Sequence, residues 1–215
     1  MPLSYDEETK EEKEPPAART VVRSGWEGVD NVTPVSTNYA QRLKVGADPV
    51  VVKFLESAPY ASWNRHWITR SGKMSFVCIG GPDDSGDCPL CNMGDRSRPM
   101  HALNVVLMSR GELPVIRSYE AGTRVIASLR NFNDSEQQGP LDKHYWAVSR
   151  SGQGPQTQYN HLMVKDRDLS EDWGVNPLTD SDLADFREDM YTSDIIENPT
   201  KEELMEIVKE TTGIR

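Results

Sequence analysis

Alternating apolar and polar positions predict short β-strands between residues 48 and 165. Stretches rich in β-branched and aromatic residues are separated by Gly, Pro, Asp and Ser, a pattern typical of strands joined by tight turns. Seven segments have this pattern: PVVVKFL (49–55), WNRHWITR (63–70), MSFVCIG (74–80), ALNVVLMS (102–109), LPVIRSYE (113–120), YWAVSR (145–150) and QYNHLMVK (158–165). Such a set of strands favours a small antiparallel barrel or sandwich.

One segment within this region has helical periodicity instead. TRVIASLRNF (123–132) places Val125, Ile126 and Leu129 on one face of a helix. Several short strands with one helix are typical of the oligonucleotide-binding (OB) fold, a five-stranded Greek-key barrel. We therefore predict a mainly β, OB-fold core over residues 21–165, with a metal-bearing insert at about residues 63–95.

The C-terminal segment, residues 166–215, predicts an acidic arm with two short amphipathic helices. TDSDLADFREDMY (179–191) and NPTKEELMEIVKETTG (198–213) begin at the capping residues Thr179 and Thr200, and each carries apolar side chains on one face. Helices of this length are marginal alone. We expect them to dock on partner proteins, although packing back on the core is the commoner outcome.

The charge of the chain is unevenly distributed. The formal net charge is -10, but residues 1–16 contribute -4 and residues 166–215 contribute -10, which leaves +4 for residues 17–165. Residues 1–20 have the composition of an acidic disordered head. One interpretation is that both ends are solubilising tails. The other is a basic binding domain whose acidic ends compete for its groove or recruit partners.

Three observations predict a cytoplasmic protein, with no membrane partner and no secretion. No apolar run is long enough to cross a bilayer. The first residues, MPLSYDEETKEEKEPP, lack the apolar centre of a secretory signal. An odd number of cysteines, three, favours a reducing compartment in which a C-x-x-C pair binds metal or is catalytic.

All three cysteines lie in one stretch, CIGGPDDSGDCPLC (78–91). Cys88 and Cys91 have the spacing at which a turn aims two sulfurs at one metal ion, and Cys78 can supply a third sulfur. A redox C-x-x-C would open a helix after a strand, and NMGDRS is a poor helix start. These thiols therefore indicate structural Zn²⁺ as the cofactor.

Two histidines are candidates for the fourth ligand. His66 is favoured because it lies on the strand preceding Cys78, and His101 is the alternative. If the two strands form a hairpin with a three-residue loop at SGK, His66 faces Cys78 directly, whereas a two-residue turn places them on opposite faces.

No enzyme motif accompanies the predicted metal site. Zinc deaminases need H-x-E and P-C-x-x-C, whereas His66 is followed by Trp67 and Ile68 and the proline lies between the cysteines. Three cysteines and a histidine also fill a tetrahedral ion, which leaves no position for a reacting water. We therefore expect a protein without catalytic activity.

The strand that carries His66 predicts an aromatic surface on its other face. Period-two alternation places Trp63, Arg65 and Trp67 together, away from His66. Aromatic rings beside cations are the surface on which bases of single-stranded DNA stack. The alternative for either tryptophan is burial in the core, since aromatic side chains are usually buried.

The metal spacing resembles a known family. His66-x11-Cys78-x9-Cys88-x2-Cys91, with W-x-x-H before it and SRSG-x-G-x-x-T-x-Y (149–159) after it, is similar to the zinc-containing single-stranded DNA-binding proteins of tailed phages, the T-even helix-destabilising protein family. The resemblance covers about residues 48–170. It implies an OB fold, structural zinc, sequence-independent binding of single strands, and an acidic C-terminal arm that contacts replication and recombination proteins.

The residues and the resemblance together predict a single-stranded DNA-binding protein of phage replication, recombination or repair, at work in a bacterial host cell. The predicted DNA contacts are aromatic and cationic: Trp63, Arg65, Trp67, Arg70, Lys73, Arg110, Trp146, Arg150 and Tyr159. One alternative is a zinc-stabilised adaptor that binds replication or transcription proteins and touches no DNA. A second is a nuclease or other hydrolase with a catalytic metal.

Overall fold

The computed structural model describes residues 40–69, 75–80 and 87–212. Seven strands lie within them: β1 (Val50–Phe54), β2 (Ala61–His66), β3 (Phe76–Val77), β4 (Arg98–Met108), β5 (Val115–Gly122), β6 (Tyr145–Ser151) and β7 (Gln158–Val164). Each overlaps one of the seven segments that alternation predicts. The predicted acidic head and the candidate DNA contacts Arg70 and Lys73 lie outside the described residues.

The three described helices that are longer than four residues also follow the sequence pattern. The described helices are α1 (Pro89–Asn92), α2 (Thr123–Asn133), α3 (Asp166–Asp168), α4 (Asp180–Glu188) and α5 (Lys201–Thr212), with a π turn at Leu169–Trp173 and 3₁₀ turns at Leu141–Lys143, Gly154–Gln156 and Ser193–Ile195. Helix α4 starts at a capping box formed by Thr179 and Asp182. No described helix combines the length and apolarity that a membrane span requires.

The strands form one antiparallel sheet in the order β3-β2-β4-β1-β6-β7, and β5 also pairs with β4. Because β5 occupies one edge of β4 from Met100 to Leu107, β2 and β1 follow one another along its other edge. This sheet does not close into a barrel, so the predicted closed OB barrel is not what the described residues form. In a closed barrel the two outer strands pair through their backbones.

The outer strands β5 and β7 approach each other through side chains instead. The Tyr119 hydroxyl lies 2.9 Å from His161 Nε2, and the two rings meet edge to face. At Ser118, the backbone of β5 bonds to the segment before β1, because Leu43 N donates to Ser118 O and Ser118 N donates to Gln41 O. The edge of β5 is therefore already occupied at that point, and side-chain packing joins the sheet's ends.

Both faces of the sheet are buried. One face packs on α2 through a cluster that includes Val52, Leu103 and Trp146 of the sheet and Leu129 of the helix. The other face carries Val51 and Val106 and is covered by chain beyond residue 166. Consecutive valines in β1 are buried because each faces one of these two layers.

The C-terminal segment covers the second face and is not a free arm. Leu169 and Val175 are buried against the sheet, with Leu183, Phe186 and Met190 packed beside them. The amphipathic faces are therefore where the sequence predicts them, but their apolar side is covered by this chain rather than by a partner. Packing on the core satisfies short helices that are marginal in isolation.

Asn104, a buried residue of β4, ties this segment to the sheet. Its side-chain amide donates to Tyr191 O at 3.0 Å and accepts from Tyr191 N at 2.9 Å. The same amide donates to Glu56 Oε1, which also accepts from the backbone N–H of Asn104. Because buried polar groups need hydrogen-bond partners, these bonds favour the one docked position of the C-terminal segment in which Tyr191 meets Asn104.

Candidate metal centre and the aromatic face of β2

The four predicted metal ligands converge. One ligand atom from each of His66, Cys78, Cys88 and Cys91 lies within 4.8 Å of all the others. His66 Nε2 is 3.5 Å from Cys88 Sγ and 3.6 Å from Cys91 Sγ, and the sulfurs of Cys78 and Cys91 are 3.5 Å apart. His66 and Cys88 are fully buried. The cluster can therefore hold a metal ion with one nitrogen and three sulfur donors.

The register of the hairpin differs from the prediction. His66 pairs with Phe76, not with Cys78, and Cys78 N donates to Asn64 O across the hairpin at 2.8 Å. The shift is two residues, which preserves the face on which each side chain lies. His66 and Cys78 therefore reach the cluster from diagonal positions on one face, and the predicted direct pairing is wrong.

The cysteine turn, Cys88–Cys91, supplies the other two sulfurs. Backbone bonds from Asn92 N to Cys88 O and from Met93 N to Pro89 O close the single turn of α1. Gly94 then adopts a positive φ of 93°, a conformation that glycine allows without strain. The chain reverses there and brings Asp95 back toward His66.

Asp95 is a candidate site residue that the sequence pattern does not predict. Its Oδ2 lies 2.7 Å from His66 Nδ1. A carboxylate at this distance accepts the proton of Nδ1 and leaves the lone pair of Nε2 directed at the thiols. Metal-bound histidines usually have such a partner. No spacing rule connects positions 66 and 95, so only the fold reveals the pair.

The other histidine candidate lies elsewhere. His101 Nδ1 is 2.9 Å from Ser62 Oγ, and His101 faces Ser62 across the β2–β4 ladder. It is not a member of the cluster. The alternative assignment of His101 as fourth ligand is therefore wrong.

The thiols of the cysteine turn differ in acidity. Burial alone raises the pKa of Cys88, but backbone N–H groups, including that of Cys91, donate to its sulfur and bring the pKa below its usual value. Burial and a hydrogen bond with Cys78 raise the pKa of Cys91. A bound cation favours the thiolates, and sulfur with imidazole is a donor set that suits Zn²⁺. With four protein ligands, a tetrahedral ion at this site would be fully coordinated.

The other face of β2 carries Trp63 and Arg65, and Trp67 directly follows the last residue of the strand. The Arg65 guanidinium carbon lies 4.8 Å from the Trp63 ring centroid and 5.6 Å from that of Trp67. Trp67 is 48 % exposed, whereas Arg65 is buried. Arg65 is also ion-paired with Glu120 at 2.6 Å, and the other carboxylate oxygen of Glu120 accepts from Arg42 Nε. The predicted triad forms, but the charge of Arg65 is already neutralised.

An open groove of about 960 Å³ lies beside this triad. Its cationic lining comes from Arg42, Lys44, Arg65 and Arg117. A second part, called here the C-terminal lining, consists of Ile195, Ile196, Glu197, Pro199 and Glu203. The groove therefore brings basic residues of the core together with acidic residues of the C-terminal segment.

Among the predicted DNA contacts that the structure describes, only Arg65 lines this groove. Trp146 is only 1 % exposed, and its indole N–H donates to Leu141 O, so its ring is not available for stacking and that prediction is wrong. Arg150 and Tyr159 face each other across the far end of the β6–β7 hairpin. Arg110 is exposed in the β4–β5 turn beside Gly174.

Comparisons of the chain with protein-family models, curated proteins and solved structures find no match.

Proposed function

We propose that this protein binds single-stranded DNA without sequence preference, on the aromatic face of β2 and in the adjoining groove. The observation that carries the proposal is that the two faces of one strand present different groups. His66 enters the candidate metal centre from one face of β2, while Trp63, Arg65 and Trp67 form a stack on the other. A metal ion on the first face would hold the second in place.

Each part of the surface suits a part of the DNA strand. Trp67 offers an exposed ring on which any base can stack, because every base has a π-face. Lys44 and Arg117 supply positive charge for phosphates along the groove, whereas Arg42 shares the carboxylate of Glu120 with Arg65. Arg65, already paired with Glu120, orients the two indoles rather than neutralising a phosphate. The proposal does not need a closed OB barrel.

The metal has no part in chemistry in this proposal. Zn²⁺ would link β2, the end of β3 and the cysteine turn, and thereby stabilise the strand that carries the tryptophans. We propose no catalytic activity. A role in phage DNA replication, recombination or repair, and binding of replication proteins by the acidic outer surface of residues 166–212, belong to the same proposal.

The test is a titration of zinc-loaded protein with a labelled oligo-dT, followed by fluorescence anisotropy. Trp67→Ala should weaken binding about 10-fold, since one stacked base contributes about 1–3 kcal/mol. The control is Leu113→Ala, which removes a side chain that is 85 % exposed in the β4–β5 turn and should leave affinity unchanged. No binding by the wild-type protein at low salt would exclude the proposal.

The salt dependence identifies the phosphate contacts. The logarithm of the binding constant should fall linearly with the logarithm of salt concentration, by about 0.7 per phosphate neutralised. Lys44→Ala should remove one phosphate contact and so reduce the magnitude of that slope by about 0.7. Arg130→Ala removes an exposed cation on α2, outside the groove, and should not change it.

The adaptor alternative has less support. It relied on the apolar faces of the two acidic helices, which here pack on the chain's own sheet and on the cysteine turn. Oligo-dT binding that survives loss of Trp67 and of the groove cations would place the DNA elsewhere on the molecule.

A further inference from the structure

Helix α5 packs directly on the segment that carries the thiols. Leu204 and Ile207 of α5 are buried in one apolar cluster with Phe76, Cys88 and Leu90. Leu90 lies between the two cysteines of the cysteine turn and is completely buried. The surface on which α5 docks therefore consists largely of the candidate metal centre's own scaffold.

This scaffold cannot hold its shape by local bonds alone. Helix α1 has only four residues, a single turn with proline in it. Helix formation is cooperative and its first turn is unfavourable, so such a turn depends on what its ends are attached to. The thiols of Cys88 and Cys91 attach it to His66 and Cys78. A metal ion at those four groups would fix the turn and hence Leu90.

The chain that leads into α5 also lines the groove. Residues Ile195 to Pro199 precede the helix, and Glu203 lies in its first turn. Glu203 additionally caps the helix, since its carboxylate accepts from Thr200 N at 2.8 Å while Thr200 Oγ1 accepts from Glu203 N. The position of the C-terminal lining therefore depends on where α5 is docked.

We propose that metal binding at His66, Cys78, Cys88 and Cys91 latches α5, and that loss of the metal releases α5 together with the C-terminal lining of the groove. A twelve-residue helix without its docking surface is marginal, so release means local unfolding. Linkage is reciprocal, and undocking α5 must weaken metal binding by the same factor. The latch itself needs no DNA; only its effect on access to the groove rests on the proposed function.

The first experiment is hydrogen exchange of the full-length protein, loaded with Zn²⁺ or stripped with a strong chelator. Amides of Leu204–Thr212 should exchange at least about 10-fold faster in the stripped protein. Amides of α2, which packs on the sheet away from the metal centre, should keep their protection and so serve as the internal control. Unchanged exchange in α5, or equal acceleration in α2, would overturn the proposal.

The second experiment tests reciprocity. Leu204→Ala should weaken Zn²⁺ binding about 10-fold in competition with a chromophoric chelator. Met205→Ala, on the same helix but 45 % exposed, is the matched control and should bind Zn²⁺ like the wild type. Protection of α2 amides checks that both variants are folded. Equal Zn²⁺ affinities would contradict the latch, and neither experiment depends on whether the protein binds DNA.

Discussion

At the residue scale, Asp95 decides which nitrogen of His66 meets the thiols. Its carboxylate lies 2.7 Å from Nδ1, and the His66 ring is fully buried. Without that acceptor, the ring can rotate, or it can carry its proton on Nε2. A protonated Nε2 has no lone pair with which to bind a metal. The contact thus contributes to metal affinity without coordinating the ion.

Asp95→Asn should weaken Zn²⁺ binding about 10–100-fold, the usual effect of losing the partner of a metal-bound histidine. Chelator competition measures it, and the visible spectrum of the Co²⁺-substituted protein should still report three thiolate ligands. Asp87→Asn is the control because it removes the same charge next to Cys88, from a carboxylate that pairs with the exposed Lys201. Equal losses in both variants would assign the effect to charge alone.

At the element scale, one hydrogen bond joins the outer strands β5 and β7. The Tyr119 hydroxyl and His161 Nε2 share a hydrogen bond of 2.9 Å, in which either group can be the donor. Burial lowers the pKa of His161 to about 4 and raises that of Tyr119, so both groups are neutral near pH 7. A charge on the buried His161 ring is unfavourable, so this contact between β5 and β7 is sensitive to acid.

The pH dependence has a definite sign. Unfolded His161 takes up a proton near pH 6.5 and the folded residue only near pH 4. Its contribution to stability is therefore complete above about pH 6.5 and is lost progressively as the pH falls toward 4, by up to about 3 kcal/mol. Urea unfolding at pH 7.5, 6.5, 5.5 and 4.5 should show this loss.

His161→Gln keeps an acceptor for Tyr119 but does not titrate, so its free energy of unfolding should vary less across that interval. His101→Gln is the control because His101 has its hydrogen bond with Ser62 of β2. Parallel pH profiles for the wild type and His161→Gln would show that the histidine is not responsible.

At the scale of the whole molecule, the C-terminal segment is part of the fold. It buries Leu169 and Val175 against the sheet, and Leu204 and Ile207 against the cysteine turn. Each such side chain contributes about 1.5–3 kcal/mol when buried. The net free energy of unfolding of a domain is about 5–15 kcal/mol, so the combined contribution of these four side chains is of the same size.

Truncation after Lys165 should therefore destabilise the core, with a lower melting temperature and reduced soluble yield. If the segment were only a cover, the truncated protein would keep its fold and merely expose the groove. The control changes charge alone: Glu171→Gln with Asp172→Asn removes two exposed acids from the same segment and should leave the melting temperature unchanged. A truncated protein as stable as the full chain would contradict the packing argument.

Local structure was predictable from the sequence because it is encoded locally. Alternation located the strands, 3.6-residue periodicity located α2, and capping residues located the starts of α4 and α5. The ligand set followed from short spacings between cysteines and from the face on which His66 lies. Side chains alternate between the two faces of a strand, so a shift of two residues in the register leaves each side chain on the predicted face.

Only the tertiary structure decided what those elements meet. Glu120, far along the chain from Arg65, neutralises it; Asp95 orients His66; and α2 buries Trp146. The apolar side chains of the C-terminal segment pack on the second face of the sheet, which is itself apolar. No local sequence pattern predicts this contact, because it joins distant parts of the chain. The sequence by itself determined which groups could bind a metal or stack on a base. Long-range packing decided which of them are exposed, and it joined the candidate metal centre to α5.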